Sequence, residues 1–76
     1  MNKLRRLALA EIADKIEELN EALQAVLEEE QECYENMPEG IQSSERGEKA
    51  QEAIESMESA ISSLEEALDS VMTAAE

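Results

Sequence analysis

The chain has no histidine, tryptophan or phenylalanine, and its 76 residues include one cysteine, one tyrosine, one proline and two glycines. Each shortage excludes something. Without histidine, the usual imidazole base and the commonest zinc ligand are missing. A single cysteine cannot close an internal disulfide, and a lone thiol suits a reducing compartment. Basic residues are also scarce: six Lys and Arg stand against twenty Asp and Glu, a net charge of −14. General nucleic-acid binding needs a basic face or tract, so direct nucleic-acid binding is not expected. No apolar run reaches the roughly 18 residues of a membrane span, so a membrane partner is not expected either. The opening stretch MNKLRRLALAEIAD has a short apolar core broken by Glu11 and Asp14. That break argues against a secretion signal and for a cytoplasmic protein.

A chain of this length forms one domain at most, here residues 1–76. With disulfides and zinc removed, small domains depend on oligomerisation or on very regular helix packing. High acidity with few aromatics also marks disordered chains, but the apolar residues of this chain are strongly periodic. Leu9, Ile12, Ile16, Leu19, Leu23 and Val26 alternate steps of three and four, and the stripe continues through Glu30, Cys33 and Met37. Ala13, Leu27 and Tyr34 flank it on one side, and Ala8 and Ala22 on the other. This is a heptad stripe widened toward the apolar face of a bundle helix. Cys33, at a stripe position, reads as a small core residue. Ile54, Met57, Ile61, Leu64, Leu68 and Val71 repeat the pattern beside a column of Ala53, Ala60, Ala67 and Ala74. Small side chains at seven-residue spacing let a neighbouring helix approach closely.

Between the stripes lies CYENMPEGIQSSER, residues 33–46, which carries the only proline and one of the two glycines. Met37 precedes Pro38 and is pushed out of the helical region. Asn36 with Glu39 resembles a capping box, and Ser43 or Ser44 can cap a second helix. The spacing predicts a helix over about 3–35, a bend over about 36–43 and a helix over about 44–75. The expected fold class is all-α: an antiparallel helical hairpin associating with itself into a four-helix or larger homo-oligomeric bundle. Its oligomer core would be Leu9, Ile12, Ile16, Leu19, Leu23, Val26, Ile54, Met57, Ile61, Leu64, Leu68 and Val71. Charge favours the hairpin. Lys3, Arg5 and Arg6 stand at a helix N-terminus, and Glu28, Glu29, Glu30 and Glu32 near its C-terminus, both against the macrodipole. Folding back sets the bases near Glu76 and the Glu run near Arg46 and Lys49.

No catalytic constellation is visible: there is no Ser–His or Cys–His pairing and no glycine-rich phosphate loop. The Glu run lacks a loop that would converge its oxygens on a cation. Neither an enzyme, a metal nor a cofactor is expected. Tyr34, Asn36, Gln42, Ser44 and Arg46 allow two readings. As structure, Asn36 and Ser44 are caps, Tyr34 flanks the core, Gln42 ties the loop, and Arg46 pairs with the Glu run. As a site, an aromatic plane, amides, a hydroxyl and a guanidinium suit an anionic, base-containing ligand. If hairpins pair head to tail, Lys3, Arg5 and Arg6 of one chain join Arg46 and Lys49 of another.

The stretch YENMPEGIQSSERGEKAQEAIESMESAISSLEEAL, residues 34–68, resembles small acidic helical proteins of phages and prophages of Gram-positive bacteria. The matching positions are Tyr34, Asn36, Pro38, Glu39, Gln42, Ser44, Glu45 and Arg46, a Y-x-N-x-P-E-x-x-Q-x-S-E-R bend motif. The resemblance implies a non-catalytic accessory protein in the host cytoplasm that counters bacterial defence. Two mechanisms would serve: sequestering a small nucleotide-like ligand at inter-subunit pockets, or covering a basic surface of a host defence protein in the manner of a nucleic-acid mimic. A structural helical interaction module is the third expectation.

Overall fold

A computed structural model describes residues 1–76, and the protein is all-α. Helix α1 spans Lys3–Glu35, a one-turn helix α2 spans Glu39–Gln42, and α3 spans Glu45–Ala74. The two long helices lie antiparallel in a rod whose extents are 58 × 14 × 12 Å. No helix is long and apolar enough to cross a membrane.

The stripe of α3 is spent inside the hairpin. Ala50 and Gly47 are buried, and Ile54, Met57, Ile61, Leu64, Leu68, Val71 and Ala75 are half-buried in unbroken steps of three and four. The stripe of α1 divides. Leu9, Ile16, Leu23, Glu30 and Met37 are half-buried, together with Ala13, Asn20, Leu27 and Tyr34. Ile12, Leu19 and Val26 remain 45, 60 and 51% exposed. Cys33 belongs to that outward column and is exposed, so it is not the core residue its spacing suggests. The reason is geometric: a helix meets one neighbour along a strip about two columns wide, and α1 carries three apolar columns.

Register follows from side chains that share a cleft. Tyr34 lies with Gln51, Leu27 with Glu58, and Ala13 with Met72, in matching steps of seven and fourteen residues on both helices. This places Glu30 level with Ile54 and Glu55, more than about two helical turns from Arg46. The pairing of Arg46 with the Glu run does not form, and the chain's single ion pair is Lys49 Nζ to Glu45 Oε1 at 3.5 Å. Asn20 interrupts the column of Ala13, Leu27 and Tyr34, and its Oδ1 is buried without a hydrogen-bond partner.

Candidate functional site

The bend is assembled from local hydrogen bonds. Asn36 closes α1 in the right-handed region at φ −84 and ψ −5, its backbone N–H donating to Glu32 O. Pro38 turns the chain at φ −57 and ψ 148 and stands at the N-cap position of α2. Asn36 therefore ends one helix and does not cap the next. Gln42 Nε2 donates to Tyr34 O at 2.9 Å, satisfying a carbonyl at the end of α1 and strapping α2 across it. Ser43 Oγ donates to Glu39 O at 2.8 Å, and Ser44 Oγ donates to Ile41 O. Both hydroxyls close α2. Ser44 occupies the N-cap position of α3 with no side-chain capping bond, so the expected serine cap is not made. The acidic Glu45 and Glu48 in the first turn face the positive end of the α3 dipole instead.

Gly47 makes the bend compact. A Cβ there would overlap the backbone of Gln42, so only glycine admits this approach of α2 to α3. Its φ is ordinary, and what requires glycine is space.

The Gln42 amide nitrogen and the Ser44 hydroxyl thus each donate within the bend. Tyr34 lines an open cleft, but Glu35, Glu55 and Glu58 line it too. A single chain offers an anion nothing favourable there. Arg46 stands on the other side of α3, seven residues before Ala53 in the exposed alanine column. Lys49 is engaged with Glu45, both side chains well exposed, a pair worth little to stability. Lys3, Arg5 and Arg6 sit at the far end of the rod, so one chain does not bring them to the bend. No group of three or more Cys, Asp or Glu side chains is arranged to hold a metal ion.

Two residues outside the sequence-based candidates matter to the structure. Asn2 accepts from Arg5 N at 2.9 Å and caps α1, a role its position before Lys3 signals. Asn20 carries the orphaned oxygen, and the signal was a polar break in a seven-residue apolar column. The chain matches no protein-family model, no curated protein and no solved structure.

Proposed function

We propose that the protein is a non-catalytic accessory protein that acts as a homo-oligomeric helical bundle of four or more helices. One observation carries this reading: the isolated hairpin has almost no core. Ala50 is its only buried apolar residue, while Ile12, Leu19 and Val26 face solvent. Its radius of gyration is 17.2 Å, against about 11 Å for a compact domain of this length. A rod two helices thick cannot bury enough apolar surface to offset the entropy of ordering it. Sedimentation equilibrium tests the reading directly. The expected mass is two or more times 8.4 kDa; a monomer of undiminished helicity at tens of micromolar would overturn it.

A second reading concerns what the assembly holds. Arg46 has no ion pair and stands on an exposed face at the bend, with Lys3, Arg5 and Arg6 at the opposite end of the chain. Head-to-tail association would bring these bases together around a small anionic, nucleotide-like ligand, consistent with the phage-type accessory role suggested by the bend motif. Calorimetry against a panel of cyclic and linear nucleotides checks it. Saturable binding that is lost in Arg46→Ala supports an inter-subunit site. Heats no larger than buffer dilution across the panel leave the bundle without that role.

A further inference from the structure

We infer that two copies pair head to tail through one face of the hairpin, with Leu19 on the molecular two-fold axis; this rests on the oligomeric reading above. The face lies opposite the clefts. Ala13, Leu27 and Tyr34 of α1 and Gln51, Glu58 and Met72 of α3 line those clefts, and none of Ile12, Leu19, Val26, Cys33 or the alanine column does. The outward column of α1 and the Ala53–Ala74 column of α3 therefore flank the hairpin on its other side, all exposed. Ser56, Ser63 and Ser70, one column further round α3, keep the surface low. The result is a ridge of large apolar side chains beside a shelf of small ones.

The surface area is large enough for a dimer interface. The chain exposes 5707 Å², whereas a compact chain of 8.4 kDa exposes about 4,600 Å². The excess, roughly 1,100 Å², exceeds the about 800 Å² per partner of a standard interface.

Two observations name the occupant as a second copy and set its direction. The first is the symmetry of the ridge. Helix α1 runs from Lys3 to Glu35, and Leu19 is its middle residue. Reversing α1 about Leu19 places Ile12 opposite the partner's Val26 and Arg5 opposite the partner's Cys33. A two-fold interface must be self-complementary in this way. The second is charge. Helix α1 has no acid in its first turn and no base in its last, and the structure pairs none of Lys3, Arg5 or Arg6. Head-to-tail pairing sets Arg5 within about a turn of the partner's Glu29 and Glu32. Pairing with bends together would instead stack two Glu runs. Across the shelf, alanine and serine of both α3 helices allow an approach near the short end of the usual 8–10 Å. Leu4 and Leu7 lie off this face and stay uncovered by the pair.

Cysteine cross-linking tests orientation and register, with mass measured on the same samples. In a Cys33→Ser background, Leu19→Cys is expected to form a covalent dimer with a short bismaleimide, because a residue on the axis meets its own copy. Ile12→Cys and Val26→Cys should fail alone and link when the two chains are mixed. Wild-type Cys33 should stay unlinked. A dimeric mass with Leu19→Cys unlinked, or with Cys33 joined to Cys33, overturns the head-to-tail register while leaving the oligomeric reading intact. A monomeric mass overturns both. Leu19 is 60% exposed in the hairpin, so Leu19→Glu should spare helicity and weaken self-association by at least about tenfold. Unchanged association in Leu19→Glu would overturn the interface.

Discussion

At Gly47 and Gly40 the same substitution should have opposite signs. A methyl group at Gly47 meets the backbone of Gln42, which cannot yield as a side-chain tip would. Gly47→Ala should cost about 1–3 kcal/mol, the usual penalty of overpacking, read from the midpoint of urea unfolding. Gly40 has nothing within 4 Å of its Cβ position and an ordinary φ. Gly40→Ala should raise stability by about 0.4–1 kcal/mol by restricting the unfolded chain. Asn20 offers a third residue-scale test, because its buried Oδ1 lacks a partner. Asn20→Leu should stabilise the hairpin by about 1 kcal/mol or more, since an orphaned buried polar group is removed and the apolar column completed. A lower melting temperature in Asn20→Leu would overturn this expectation. The sequence signalled two of these only in outline: a glycine in a helix's first turn allows close backbone contact, and a polar residue breaks an apolar column at Asn20. That the backbone Gly47 meets is Gln42, in another helix, depends on the fold.

Among the elements, α1 and α3 were readable and α2 was only partly so. Alternating steps of three and four define the two long helices because side chains so spaced share a face, and the structure shows helices over Lys3–Glu35 and Glu45–Ala74. The caps were less legible. Serine, threonine, asparagine and aspartate can bond several nearby backbone groups, and the choice depends on where the chain turns next. Here Ser43 and Ser44 bond backward into α2, and Gln42 reaches Tyr34 O eight residues earlier. Gln42→Leu should therefore loosen the bend at a cost of about 1 kcal/mol. Hydrogen exchange would show it as faster opening of Tyr34 through Met37, with the centres of α1 and α3 unchanged.

For the molecule as a whole, a net charge of −14 on 76 residues opposes compaction and association alike. Within the hairpin only one ion pair would be lost to screening, and it is exposed, while the attraction of Arg5 for the partner's Glu29 and Glu32 is small beside the net repulsion. Salt should thus stabilise the protein. Raising ionic strength from about 0.01 to 0.15 M shortens the Debye length from about 30 to 8 Å, and the melting temperature should rise accordingly. It should also rise with protein concentration, because binding a second folded copy draws the equilibrium toward the folded state. A melting temperature independent of concentration over a hundredfold range would argue against self-association.

The sequence by itself determined the helices, the break at Pro38 and the apolar stripes, because each depends on spacing along one chain. It also defined the candidate bases and their segregation to the two ends. Tertiary structure decided which columns of α1 meet α3, and so which are left outward. Packing selects one strip of a wide apolar face, and periodicity cannot rank Ile16 above Leu19. Tertiary structure likewise decided that Gln42 and Ser44 serve the bend and that Arg46 and Tyr34 stand on opposite sides of the hairpin. Those assignments depend on the rotation of one helix against another, set by contacts between residues far apart in the chain.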